Sequence, residues 1–352
     1  MTDTLPLIGV TLGDPAGIGP EVALKAALEL KSQPQSFHVL LAGSCSVAET
    51  TIKRFNLPIR IEVISGPEDT FNVGSALALL DIQGTPAQSI EFGRANAAYA
   101  NTATACVTEL VKLALDGRIA ALACAPVSKQ ALLMSSTKYA GHTELIARQC
   151  GSNNYGMFFK SPHLSIMTVT GHIPLRDVEP QITIAAILRK LRLASETFYE
   201  LYDRAPRIAV CSVDPHCGEN GFLGRVDFDI VKDSVIAAYK EGLLVDGPHS
   251  ADAVFRPYIR KKYDLILGMY HDQAKVGVAA LDSDNFVAYL AGLPIVRTTT
   301  THGAAFDIAG KGIANPLNML RTIKAAAEIS LRRIASAPEF SAAWSYPVAE
   351  VG

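Results

Sequence analysis

No C-x-x-C pair occurs in this chain, although it holds six cysteines, Cys45, Cys106, Cys124, Cys150, Cys211 and Cys217. Most of them sit inside apolar stretches, a placement that reads as buried reduced thiols and excludes a disulfide scaffold or a zinc ribbon. Cys217 differs, because it lies one residue from His216 and offers a soft metal ligand, but nothing else around it resembles a Cys-rich site. Long hydrophobic runs are also missing: no stretch approaches the about 18 apolar residues of a membrane-spanning helix. The N-terminus MTDTLPLIGV carries an acid and only a short apolar run, unlike a secretory leader. A cytoplasmic protein is expected. Charge of one sign is lacking too, since 32 Lys and Arg face 34 Asp and Glu, a net of −2. Such a balance gives no electrostatic footprint for nucleic acid or an anionic membrane. The expected partners are small molecules and copies of the chain itself.

What is present suits a compact α/β protein. A hydrophobic share of 49% and a charged share of 19% over 352 residues allow two domains or one large unit with a sizeable core. LPLIGVTL reads as a strand, GDPAGIGP as a loop and EVALKAALEL as a helix with Pro20 and Glu21 in its first turn. FHVLLAG is a second strand, and a long helix is predicted from about Ala95 to Leu115, closed by Asp116 and Gly117 before the strand RIAALACAP. LSIMTVT, RIAVCSV and DLILGMY then read as strands separated by the helices ITIAAILRKLRLASETFYELY and FDIVKDSVIAAYKEG, a βα rhythm that predicts a mostly parallel sheet. A last helix around 317–336 would put Leu320, Ile323, Ala327, Leu331 and Ile334 on one buried face.

His172, His216 and His271 each fall just after one of those apolar runs, in the settings GHIPLRD, DPHCGENG and YHDQ. Ligands of open α/β sheets gather at the carboxyl ends of strands, and three imidazoles with an open fourth position make a catalytic divalent-metal site for Zn, Mg, Mn or Co. A single loop histidine is more often merely solvated, so the reading depends on their convergence. GDPAGIGPE, residues 13–21, is either an anion-binding turn at a helix N-terminus or a tight structural turn; it is not a dinucleotide fingerprint.

THGAAFDIAGKGIANP, residues 301–316, resembles the adenosine-binding loop of the isopropylmalate and isocitrate dehydrogenases. That resemblance implies an adenosine site at His302, Gly303 and Ala304, with Asp307 facing the ribose. An acid there accepts from a 2′-hydroxyl and repels a 2′-phosphate, favouring NAD over NADP. The whole chain resembles the 4-hydroxythreonine-4-phosphate dehydrogenase family of pyridoxine biosynthesis. The matching segments run in order: GDPAGIGPE, APVSK (125–129), AGHTE (140–144), GHIPLRDV (171–178), DPHCGE (214–219), GPHSADAVF (247–255), MYHDQ (269–273), and GLPIVRT through HGAA (292–305).

The resemblance implies a two-domain fold like that of isopropylmalate dehydrogenase, with mostly parallel sheets and an interdomain cleft. The expected units are 1–128 plus 276–352 on the cofactor side and 129–275 as the central unit, in a homodimer that completes each site. It assigns metal binding to His172, His216 and His271 and substrate binding to His142, Thr143 and Arg297. Asp252, Asp272 and Lys129 are left as candidates for orienting imidazoles or moving a proton. Two departures bear on the substrate. The family's phosphate-contacting lysine and asparagine, eight and seventeen residues past the YHDQ histidine, are replaced by Ala279 and Ala288, with Lys275 displaced. The usual Asn before Pro-His is Asp214, and the usual Asp before His-Gly is Thr301.

The expected function is a metal-dependent, NAD-linked dehydrogenase of a hydroxy acid, with decarboxylation of the resulting β-keto acid. Its alternatives are a relative acting on an unphosphorylated substrate, such as a carboxylated aromatic cis-dihydrodiol, and a non-catalytic metal- or metabolite-binding protein. The loss of two phosphate contacts predicts poor turnover of a phosphorylated substrate, since charge-assisted hydrogen bonds contribute about 1.5–3 kcal/mol each.

Overall fold

The computed structural model describes residues 5–84, 90–135, 141–282 and 285–343. From the N-terminus the chain forms β1 (Leu7–Thr11), α1 (Gly19–Lys31), β2 (His38–Gly43), α2 (Cys45–Phe55), β3 (Ile61–Ile64), β4 (Leu77–Asp81), α3 (Ala97–Leu115) and β5 (Ala121–Cys124). Short α4 (Lys129–Met134) and α5 (His142–Gln149) lead to β6 (Gly156–Lys160), β7 (Ser165–Thr168), α6 (Ile184–Tyr202) and β8 (Ile208–Cys211). There follow α7 (Lys232–Lys240), β9 (Val245–His249), α8 (Ala251–Val254), α9 (Pro257–Arg260), β10 (Leu265–Gly268), α10 (His271–Asp282), β11 (Val287–Ala291), β12 (Val296–Thr299) and α11 (Leu317–Ala343).

Helix ends follow their local chemistry. Asn96 and Thr183 accept from Ala98 N and Ala186 N at the starts of α3 and α6. Asp203 closes α6 in the left-handed region at φ 54°. The helix predicted from Phe228 begins instead with a π-helical turn, Asp227–Val231, before α7. There Asp227, buried to 1% exposure, accepts hydrogen bonds from Val213 N (2.7 Å) and Asp214 N (2.8 Å). A widened turn is a common way to re-aim side chains near a site.

The twelve strands of the described residues join one sheet, in the order β3-β4-β2-β1-β5-β12-β11-β6-β7-β10-β8-β9. The mostly parallel sheet expected from the βα rhythm is thus one continuous sheet. Its left part, through β12, is parallel, as is its right part from β7 to β9. The antiparallel pairings β12–β11, β11–β6 and β6–β7 join them. One apolar cluster crosses the join on one face, from Ile8 and Val10 through Phe158, Met167 and Tyr289 to Leu267 and Val210. On the other face the core divides, with Leu122 and Leu290 in one cluster and Ile166, Ile266 and Ala288 in another.

On α11 the predicted stripe holds for Leu320, Ile323 and Ala327, but Leu331 (37% exposed) and Ile334 (59%) face outward. No helix among the described residues is long and apolar enough to cross a membrane.

Candidate active site

The three histidines stand where the strand pattern predicted: His172 beyond β7, His271 at the start of α10 directly after β10, and His216 beyond β8. Those strands are neighbours in the sheet. The structure brings two of the rings together, His172 and His271, with centroids 4.8 Å apart. Asp272 Oδ1 lies 2.7 Å from His271 Nδ1, which leaves Nε2 as the free nitrogen. The pKa of His172 is lowered by burial and by the Lys129, His271 and Lys275 charges around it, so its ring is neutral and its lone pair available.

His216 is held differently. It opens a run of left-handed residues, His216, Cys217, Gly218, Glu219 and Asn220, with φ between 45° and 69°. No group of three or more His, Cys, Asp or Glu among the described residues is gathered closely enough to hold a metal ion. The donor chemistry of the His172–His271 pair fits a divalent cation, while the third imidazole is not gathered with them. Cys217 donates to Pro248 O at 3.5 Å, and burial raises its pKa.

The candidate acids and bases separate by environment. Asp252 is tied to Ser250 and, at 3.2 Å, to Arg256; the Ser250 hydrogen bond, Arg256 and His216 hold its pKa below the usual carboxylate value. A carboxylate so stabilised is a weak base. Lys129 begins α4, and burial lowers its pKa although Glu144 acts the other way.

A second group lies at the join between the two parallel parts of the sheet. His142 opens α5 and is 8% exposed; Arg297 on β12 is 3% exposed. Their charges interact, and burial together with Arg297 pushes the His142 pKa down to about 3. Among the described residues, His142 Nε2 and Arg297 Nη1 are both buried without a hydrogen-bond partner, while Arg297 Nε donates to Cys124 Sγ at 3.5 Å. Buried polar atoms are nearly always satisfied, so two orphans on adjacent side chains mark a place for a polar ligand. Thr143 Oγ1 donates to Met157 Sδ at 3.9 Å.

Lys275 was noticed in the sequence only as a displaced residue. Its Nζ lies 4.8 Å above the Phe159 ring and 3.4 Å from Thr301 O, and it is close enough to His172 to affect its charge. The two alanines that replace family phosphate contacts are not brought together. Ala279 lies on the exposed face of α10, whereas Ala288 is 2% exposed in the core cluster with Phe159 and Ile166.

The loop after β12 is packed on the turn before α1. Ile18 N donates to Ala304 O at 3.0 Å, and a Cβ on Gly17 would come within 2.9 Å of Ala304. Ala304 therefore faces inward, 7% exposed, while Gly303 and Asp307 are exposed and a Cβ on Gly303 would meet open space. His302 Nδ1 lies 3.1 Å from Gly303 O. The GDPAGIGPE turn is buried throughout, and Asp14 accepts from Ala16 N (3.0 Å) and Ser128 N (3.3 Å). Of the two readings of this turn, its packing favours the structural one.

The model of the family described as "Pyridoxal phosphate biosynthetic protein PdxA" matches residues 35–326. The chain belongs to the PdxA family. It is 34% identical to the D-threonate 4-phosphate dehydrogenase of Cupriavidus necator over 334 residues, 95% of this chain and 100% of that protein. The crystal structure of 4-hydroxythreonine-4-phosphate dehydrogenase from Klebsiella pneumoniae superposes with a TM-score of 0.78 at 31% identity, covering 92% of this chain and 99% of that one. A terephthalate 1,2-cis-dihydrodiol dehydrogenase from Burkholderia xenovorans is more distant, with a TM-score of 0.60 and 25% identity over 92% of this chain and 98% of its own. This PdxA-family chain is thus an oxidoreductase of the dehydrogenase type, acting on CH–OH groups.

Proposed function

We propose that this chain oxidises the hydroxyl group of an anionic hydroxy acid, phosphorylated as in its relatives, with NAD as the oxidant and a divalent metal at His172 and His271. The observation that carries the reading is the pair of buried polar atoms without a partner among the described residues, His142 Nε2 and Arg297 Nη1, on a site whose helix α5 also carries Glu144, a charge that acts on His172. Arg297 and Lys275 supply positive charge around it, suited to a substrate with one or two anionic ends.

The Arg297 guanidinium holds a carboxylate or phosphate oxygen, and neutral His142 donates to it without adding charge. His172 and His271 present free imidazole nitrogens, with Asp272 fixing the second ring. A divalent ion held there would polarise the hydroxyl oxygen, and NAD would supply the acceptor for hydride. Lys129, its pKa lowered by burial, takes the hydroxyl proton at Nζ. Carbon dioxide departs afterwards when the new ketone lies β to a carboxylate. Gly303 and Asp307, both exposed on the loop after β12, would face the adenosine half.

The second reading is an unphosphorylated substrate such as a carboxylated cis-dihydrodiol. It is favoured by the placement of Ala279 and Ala288, neither of which offers a phosphate contact, and by the likeness to the Burkholderia enzyme. In either case we propose a cytoplasmic homodimer with a site shared across the interface. Phe222 (91% exposed) and Leu223 (53%), beside the His216 turn, support that reading.

NADH formation measured over a panel of both substrate classes separates the two. Turnover of 4-phosphorylated hydroxy acids with release of carbon dioxide supports the first reading. Turnover restricted to dihydrodiol carboxylates establishes the second, and no NADH with any of them removes both.

A further inference from the structure

The loop that follows β12 is fixed at its far end by a charged pair from α1. Glu21 and Lys25 lie one turn apart on that helix, and both side chains reach residues 287–293 positions away in sequence. Lys25 Nζ donates to Glu21 Oε1 (2.6 Å), to Gly312 O (2.9 Å) and to Ala314 O (3.1 Å). Ala314 N donates to the same Glu21 Oε1 at 2.9 Å. The pair is largely buried, with side-chain exposures of 21% for Lys25 and 2% for Glu21.

Such a pair is a poor device for stability alone, because burying two charges costs about as much as their attraction returns. Glu21 Oε2 is moreover buried with no partner among the described residues, an added desolvation penalty. What the pair does is geometric: it captures the N–H and C=O of Ala314 and the C=O of Gly312. Arg54 Nε takes the carbonyl of Gly310 at 2.9 Å, and Ile18 N takes that of Ala304 at 3.0 Å. The loop is thereby pinned at 304, 310, 312 and 314. Between the first two pins lies Asp307, exposed.

We propose that Glu21 and Lys25 are positioning residues for the dinucleotide: they touch no ligand but set the place of Asp307 and so the affinity for the ribose half of NAD. The inference rests on the cofactor reading given above.

The test compares the natural protein with Lys25→Met, Lys25→Arg and Glu21→Gln. It uses hydrogen exchange of amides 303–314 without cofactor, NADH affinity by fluorescence titration, and melting temperature. Lys25→Met should speed exchange at 310–314 and weaken NADH binding about tenfold, with kcat at saturating NAD within about twofold. Lys25→Arg should recover much of the affinity, and it guards against a Glu21→Gln variant that fails to fold. Unchanged exchange in Lys25→Met overturns the clamp. Faster exchange or a lower melting temperature with unchanged NADH affinity overturns the positioning role. Failure of the natural protein itself to bind NADH overturns the cofactor reading, and this inference falls with it.

Discussion

A histidine at a strand end becomes a ligand only when its ring is turned and one nitrogen is kept free. His271 meets both conditions through Asp272, its immediate neighbour in the chain. Asp272→Asn should therefore leave the fold intact while weakening metal affinity about 10–100-fold, the usual cost of losing a carboxylate behind an imidazole. His271→Ala should abolish metal retention, and metal analysis of the two variants beside the natural protein separates them. Equal metal content in all three would remove His271 from the site. Asp307 carries a second expectation at this scale. Its exposed carboxylate favours NAD over NADP, so Asp307→Ser should narrow the ratio of kcat/KM values for the two cofactors; a natural preference for NADP would show that Asp307 does not meet the ribose. The positions of the strand-end histidines were legible in the sequence, because apolar runs ending in Gly, Pro or Asp locate strand ends. The ring that each turns toward its neighbour was not, since side-chain direction in a loop depends on tertiary contacts. Lys275 was hidden for the same reason: nothing local distinguishes a lysine over a phenylalanine ring from a solvated one.

At the scale of an element, the turn carrying His216 is the least expected feature. Four non-glycine residues, His216, Cys217, Glu219 and Asn220, adopt left-handed conformations in succession around Gly218. Each costs about 1–2 kcal/mol for an L-residue. The turn is braced by Asp227, through the N–H groups of Val213 and Asp214, and by close packing at Gly218, where a Cβ would lie 2.6 Å from Gly224 O. Strain of this kind persists only when its surroundings over-determine it. Exposed Glu219 should be relieved by glycine, so Glu219→Gly is expected to stabilise by about 0.5–1 kcal/mol. Gly218→Ala should destabilise by more, through the contact with Gly224. Urea midpoints for both variants check the pair, and a Glu219→Gly that destabilises would mean the turn is not strained as described. The sequence DPHCGENG promised a turn but not its hand, because Cys, Glu and Asn carry no demand for positive φ. The βα rhythm likewise foretold parallel strands, yet it gave no sign that β11 and β6 would run antiparallel and join the two halves. That join is made by strands whose neighbours are distant in sequence, and periodicity carries no information about pairing.

For the whole molecule the question is whether the two halves are separate folding units. The division into 1–128 plus 276–352 and 129–275 was drawn from family likeness, and a chain so divided would be expected to unfold in steps. The sheet argues otherwise. Twelve strands are hydrogen-bonded in one order without a break, and β11, from the first unit, is the strand that pairs with β6 of the second. One apolar cluster spans the join, and Tyr289 on β11 reaches Glu200 of α6 while accepting from Arg333 of α11 at 2.7 Å. Separating the halves would expose the buried Tyr289 side chain, along with Phe158 and Met167 of the same cluster. It would also strip partners from a buried hydroxyl and two charged groups, losses of about 1–3 kcal/mol each. Partial unfolding at the join is therefore unfavourable compared with loss of the whole sheet. We expect a single calorimetric transition for the metal-free protein, with calorimetric and van't Hoff enthalpies in agreement. Tyr289→Phe should lower its midpoint without splitting it. Two resolved transitions in the natural protein would show that the halves fold independently and that the join is only a contact between them.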